Sequence, residues 1–223
     1  MVTYLALTDY RSAMFDMPLR GALEEMCNES GDFDMSLLTE KGLVNQAPQW
    51  AVTFAESHDT IRPYELKVSI TKDKMMAYAF VLMSEGLPMI AYNDYFLGQK
   101  ADQGYPDDPD DDGWTGGTLT TNIDELIDLR RKYAAGDTTF LYAGSDLLIM
   151  KRSGNEQKPG CILTLNDHNS STQSASVNTG WPQGTILADA LDTGHTVTVQ
   201  AGGMATLYSP SRGYRVYVNQ DDL

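Results

Sequence analysis

The chain is poor in cysteine, in basic residues and in long apolar runs, and each shortage closes off a class of protein. Its 223 residues hold two cysteines, Cys27 and Cys161. That is neither a disulfide framework nor a metal-ligand spacing, so two buried thiols are expected. No run of eighteen apolar residues occurs, and a membrane-spanning helix is therefore not expected. Met1–Leu7 lacks the basic start and apolar stretch of a secretion signal, which leaves localisation open. Lys and Arg number 16 against 31 Asp and Glu, a net charge of −15. Such a surface repels phosphates and anionic lipid headgroups, so neither nucleic acid nor membrane is expected as a partner. Asp outnumbers Glu 22 to 9. The excess fits simple solubility, or adaptation to high salt, where self-repulsion is screened within a few Å.

What is present describes a folded protein with a real core. Hydrophobic residues make up 42% and charged residues 21% of the chain, ordinary values for a globular domain. The first half alternates short apolar runs with helical periodicity. Ala13–Phe15 reads as a strand stopped at Asp16-Met17-Pro18, and Pro18–Met26 as a helix with Leu19, Ala22, Leu23 and Met26 on one face. Trp50–Ala55 reads as the next strand. Thr71 is expected to cap a helix over Lys72–Ser84 ended by Gly86, and Leu87–Tyr92 to form a further strand. Asn122 with Glu125 has the pattern of a capping box for a helix over Ile123–Ala135, ended by Gly136. Strands and helices at this spacing imply parallel βα units. Beyond Gly136 the period changes. Eight short runs, from Phe140–Tyr142 to Tyr214–Val218, are separated by Gly, Asn and Asp turns, as in an antiparallel β-sandwich.

In parallel βα folds the functional side chains gather where strands end at their C-terminal edge. The segment Phe54-Ala55-Glu56-Ser57-His58-Asp59-Thr60 puts an imidazole and two carboxylates at such an end. Carboxylates there suit glycoside hydrolysis, in which an oxocarbenium-like state needs a negative neighbour and a proton donor. A structural His–Asp pair is the competing reading. Four ordered segments resemble the α-amylase family (glycoside hydrolase family 13). Val52–Thr60 resembles the seventh-strand motif F-V-D-N-H-D, matching at Phe54, His58 and Asp59 and departing at Ala55, Glu56 and Ser57. Phe15-Asp16-Met17-Pro18-Leu19 resembles the sixth-strand segment F-D-x-P-L. Gly86-Leu87-Pro88-Met89-Ile90-Ala91-Tyr92 resembles the run into the eighth strand, with Asn93 where a glycine is usual. Leu126–Tyr133 resembles the last barrel helix, and the terminal strands resemble the family's C-terminal β domain.

The resemblance implies the last strands and helices of a (β/α)8 barrel over residues 1–137, followed by an antiparallel β-sandwich domain over 138–223. It implies that Asp59 stabilises the transition state and that His58 hydrogen-bonds the same sugar of an α-glucan such as starch or maltodextrin. A carboxylate and a neutral imidazole both accept from hydroxyls, and the carboxylate opposes developing positive charge. Glu56 is a further catalytic candidate, with a solvated substitute for the family's Asp as the alternative. Arg62, Asp94 and Trp114 are candidates for substrate binding. Two departures bear on activity. The family nucleophile belongs to a G-x-R-x-D motif after the fourth strand and the proton donor is a Glu after the fifth; neither motif occurs here. Retaining hydrolysis needs two carboxylates ~5 Å apart, so the expectation is either a truncated hydrolase or a non-catalytic starch- or maltodextrin-binding relative.

Two regions remain. Asp108, Asp110 and Asp112, followed by Gly113, follow the opening of an oxygen-ligand calcium loop, although position 12 is Leu119 rather than the bidentate Glu. A calcium site and a solvated acidic loop both fit. Trp50 is expected in the core and Trp181 at a turn, which leaves Trp114 as the tryptophan placed to stack on a sugar. A three-stranded parallel remnant exposes unpaired edges, so a second copy or a partner chain is expected to cover them. Members of the family are commonly secreted.

Overall fold

The computed structural model describes residues 1–60, 69–96 and 118–223. It divides into two compact units, the first comprising Met1–Glu29 with Glu40–Leu126 and the second Ser30–Thr39 with Ile127–Leu223.

The first unit is built on three short parallel strands, β1 (Met14–Phe15), β2 (Ala51–Phe54) and β3 (Leu87–Met89). Phe15 lies opposite Val52, and Phe54 opposite Met89. Helix α1 (Val2–Leu7) precedes β1, and α2 (Met17–Asn28) follows it. Asp16 starts α2: its carboxylate accepts from Leu19 N at 3.3 Å, while Pro18 occupies the first turn, where its missing N–H costs nothing. Leu19, Ala22, Leu23 and Met26 are buried, the face that the spacing predicts. The same carboxylate accepts from Val44 N at 2.8 Å, pinning a distant loop to the start of the helix.

Between β2 and β3 lies α3 (Lys74–Met83), in which every residue but Met75 is buried. A helix apolar around its whole circumference belongs inside a domain. Thr71 does not cap it. Asp73, in the left-handed region at φ 46°, stands at the N-cap, while the Thr71 amide and hydroxyl donate to Asn28 Oδ1 at 2.9 and 3.2 Å. A tertiary partner has taken the group that the local signal assigned to the helix. The third strand is shorter than its apolar run suggests, because the chain turns into α4 (Tyr92–Phe96). The next helix, α5 (Thr118–Lys132), starts before Asn122, which therefore lies inside it rather than at its cap. The Thr120 hydroxyl donates to Tyr95 O, a contact that secures the earlier turn.

The second unit is antiparallel throughout its sheets. A six-stranded sheet runs in the order β4 (Thr138–Ala143), β5 (Leu147–Arg152), β6 (Cys161–Asn166), β11 (Gly213–Asn219), β8 (Ile186–Asp189), β9 (Asp192–Thr198). A two-stranded sheet pairs β7 (Gln173–Asn178) with β10 (Met204–Ser209). All eight expected strands form. One apolar cluster draws on both sheets, with Ile149, Ile162, Leu187 and Tyr217 from the larger and Val177, Ala205 and Leu207 from the smaller. Ser30–Thr39 joins this unit although it is remote in sequence. Phe33 N donates to Asp167 Oδ2 at 3.2 Å and Met35 N to Ser145 O at 2.9 Å, with Phe33, Met35 and Leu38 buried. Cys27 and Cys161 are buried thiols in separate units, as expected from their spacing. No helix among the described residues is long and apolar enough to cross a membrane.

Candidate functional site

The parallel strands of the first unit all end at one rim, so the residues that follow them converge. They enclose a depression of about 260 Å³. Phe15 and Met17 come from the end of β1, Phe54 and Ser57–Asp59 from the end of β2, and Met89–Asn93 from the end of β3. Its floor is mainly apolar; the polar groups are delivered by the turn after β2. That turn is tight. Ser57 N donates to Thr60 Oγ1 at 2.8 Å, Asp59 N to Ser57 Oγ at 3.3 Å and Thr60 N to Ser57 O at 3.1 Å.

His58 and Asp59 project from it. His58 Nε2 lies 3.3 Å from Asp59 Oδ1, with the side chains 85% and 69% exposed. A carboxylate and an imidazole held together, open to solvent and above an apolar floor, suit a ligand with hydroxyls on its edge and C–H groups on its face. Tyr92 lines the same depression and is 67% exposed. Its ring centroid stands 4.7 Å from that of Phe96, which in turn lies 4.7 Å from Tyr95. The exposed ring at the rim is thus a tyrosine rather than a tryptophan, and its place at the end of an apolar strand run is the signal that the sequence offers for it. Trp50 is half-buried, donates Nε1–H to Tyr10 O at 3.0 Å and packs on the Tyr10 ring at 4.8 Å. Trp181 sits under the Lys151 ammonium at 4.8 Å.

Glu56 and Asp94, two of the candidate rim acids, face the other way. Both are fully buried. Glu56 is no solvated substitute: Oε2 accepts from Arg20 Nη2 at 2.9 Å and from Thr60 Oγ1 at 2.5 Å, and Oε1 accepts from Ile70 N at 2.5 Å. Lys74 Nζ is 3.6 Å from Glu56 Oε1 and donates to Asp94 Oδ1 at 2.8 Å, while the Tyr78 hydroxyl donates to Asp94 Oδ2. Two cations thus face two carboxylates inside the unit, each carboxylate with hydrogen bonds to both its oxygens, the condition under which buried charge is tolerated. Burial raises the pKa of Asp94, opposed chiefly by Lys74. Burial, reinforced by Asp94, raises that of Tyr78 well above its ordinary value. Neither carboxylate offers an oxygen to a ligand in the depression, whose lining, among the described residues, holds Asp59 as its single acid. Arg62, Trp114, Asp108, Asp110 and Asp112 lie outside the described residues. Among the described residues no group of three or more His, Cys, Asp or Glu is placed to hold a metal ion.

No protein-family model matches the chain. Individual proteins do. It is 32% identical over 162 residues to an α-amylase of Geobacillus stearothermophilus, a match covering 72% of this chain and 27% of that protein. It is 27% identical over 225 residues to a glucan 1,4-α-maltohexaosidase of Bacillus sp. strain 707, covering 97% of this chain and 40% of that one. Among solved structures, an α-amylase from Malbranchea cinnamomea superposes with a TM-score of 0.66 at 17% identity, over 92% of this chain and 44% of its own. The chain therefore spans between 27% and 44% of the length of these three proteins. Ordered motifs, strand-end geometry and these likenesses agree: the chain belongs to the α-amylase family.

Proposed function

We propose that the chain is part of an α-amylase-type glycoside hydrolase, binding an α-1,4-glucan such as maltodextrin at the rim, with Asp59 and His58 accepting from sugar hydroxyls. The observation that carries this reading is the exposed His58–Asp59 pair above an apolar depression at the ends of three parallel strands. Asp59 is the group suited to oppose positive charge at the sugar ring. Tyr92 supplies a ring face for stacking. Cleavage with retention takes a nucleophile and a proton donor ~5 Å apart, and with Glu56 and Asp94 engaged below the rim, Asp59 has no such companion among the described residues of the lining. Hydrolysis in this reading draws its remaining acids from further barrel strands, which would also cover the open edges of β1 and β3. The exposure of Phe15 (52%), Met17 (50%) and Leu87 (50%) along those edges favours such a cover. Calcium at Asp108, Asp110 and Asp112 is a separate proposal, checked by calorimetry with Ca²⁺ alone.

Calorimetry with maltohexaose tests the site. Binding is expected, with loss of roughly tenfold or more in affinity in Asp59→Ala, the scale of one charged hydrogen-bonding group. No heat from the unsubstituted chain sinks the reading. Release of reducing sugar by the pure chain would remove the need for outside acids. Binding without turnover is the outcome of the second reading, a non-catalytic maltodextrin-binding relative, favoured by Asp59 being the one carboxylate that the described residues bring to the lining.

A further inference from the structure

Under the rim, one network of buried charge touches both walls of the depression. On one wall, Glu56 closes the turn that carries His58 and Asp59. It accepts from Thr60 Oγ1, and that same oxygen accepts from Ser57 N at 2.8 Å, so the turn is tied at both its ends to one buried carboxylate. Glu56 also accepts from Ile70 N, and Ser69 Oγ donates to Thr60 O at 2.7 Å, which brings the chain on the far side of residues 61–68 to the same point. On the other wall, Asp94 adjoins Tyr92 and Asn93 and is gripped by Lys74 and Tyr78 of α3. Lys74 Nζ reaches both acids, at 3.6 Å from Glu56 and 2.8 Å from Asp94. Arg20 completes the anchor by donating Nε–H to Ala55 O at 3.2 Å and Nη2–H to Glu56.

We propose that Glu56 and Lys74 are positioning residues: through Thr60 and Asp94 they hold the Ser57–Thr60 turn and the Tyr92–Asn93 wall in a fixed mutual arrangement for ligand binding, without touching the ligand. This rests on the reading of the depression as an α-glucan site. The physical reason for using charge here is stiffness. Each carboxylate is fixed by several short donors in a space from which water is excluded, so the turn above has little freedom to swing. An exposed acid and imidazole on an untethered turn would have to be ordered at each binding event, at a cost in affinity.

The test uses the full chain, with maltohexaose calorimetry and amide hydrogen exchange read together. Glu56→Gln is expected to weaken maltohexaose by roughly tenfold, the scale of a displaced supporting residue. Exchange should quicken at Ser57–Thr60 and at Ala91–Asp94 while β2 and α2 keep their protection. Adding Arg20→Met to Glu56→Gln removes the cation that Glu56 neutralised, leaves the Lys74–Asp94 pair in place, and should raise the thermal midpoint again. Affinity should stay low in the double variant, whereas a purely structural role predicts that it returns with stability. Should Glu56→Gln not fold, Thr60→Val carries the same test, because it cuts the link and keeps every charge. Wild-type affinity with unchanged exchange at both walls overturns the proposal. A wild-type chain that ignores maltohexaose sinks the glucan reading instead; the exchange arm then decides the positioning role by itself, quickening at both walls upholding it and none overturning it.

Discussion

Single residues in this chain are read wrongly when type and spacing are taken without their surroundings. Glu56 and Asp59 are both acids in one strand-end segment, three positions apart, and nothing in their spacing separates them. The fold does: Asp59 is left in solvent, while Glu56 is turned into a buried set of cations. Conversely, Cys161 is buried as its type suggests, because burial of a lone thiol needs no partner, and that burial pushes its pKa to about 12. His195 offers a check of residue electrostatics away from the site. Burial, then the nearby Arg215, lowers its pKa below the ordinary 6.5, against the pull of Asp189 and Asp192. A base with a lowered folded-state pKa binds fewer protons folded than unfolded in that window, so its contribution to stability is present above 6.5 and is lost as pH falls through the lowered value. Proton NMR titration should therefore give a midpoint below 6.5 for His195, and a midpoint above it would contradict the packing described.

Elements were legible to the degree that their signals were local and repeated. The helix after Asp16 formed where its apolar face and proline start place it, and every run of the second half became a strand. Two helix starts differ from the local signal: at Thr71 one tertiary hydrogen bond, to Asn28, outbids the cap, and at Asn122 the helix already runs from Thr118. The loop pinned to α2 was not legible at all, since it depends on Val44 N reaching the Asp16 carboxylate. Gly42 tests that junction. At φ 91° it lies in the left-handed region, and a Cβ there would stand 2.7 Å from Asp16 Oδ2 and 2.8 Å from Leu19 Cβ. Gly42→Ala is expected to cost about 1–3 kcal/mol in urea unfolding, since both backbone strain and a clash oppose it. A loss below a few tenths of a kcal/mol would mean that the loop shifts freely.

At the scale of the whole chain, charge and exposed apolar surface make opposing demands. A net charge of −15 resists association, yet Leu7, Tyr92, Phe96, Tyr4 and Phe15 of the first unit are all more than half exposed. Raising NaCl from dilute buffer to 1 M shortens the screening length to about 3 Å. The expected result is a higher thermal midpoint together with a larger mass by light scattering, as repulsion fades and the open edges pair. A monomer at high salt would count against a second copy covering those edges, and a midpoint indifferent to salt against adaptation to it.

By itself the sequence determined the family, the change from parallel βα units to antiparallel strands, and the segment that forms the rim, because each is written in residues adjacent along the chain or in a short period. Tertiary structure decided which acids face a ligand, which lysine and arginine neutralise the others, and that Ser30–Thr39 packs with the second unit. Those outcomes depend on desolvation. Whether a carboxylate is a ligand group or an anchor is set by the charges and hydrogen-bond donors that folding brings around it from distant positions, and no local pattern encodes that distance.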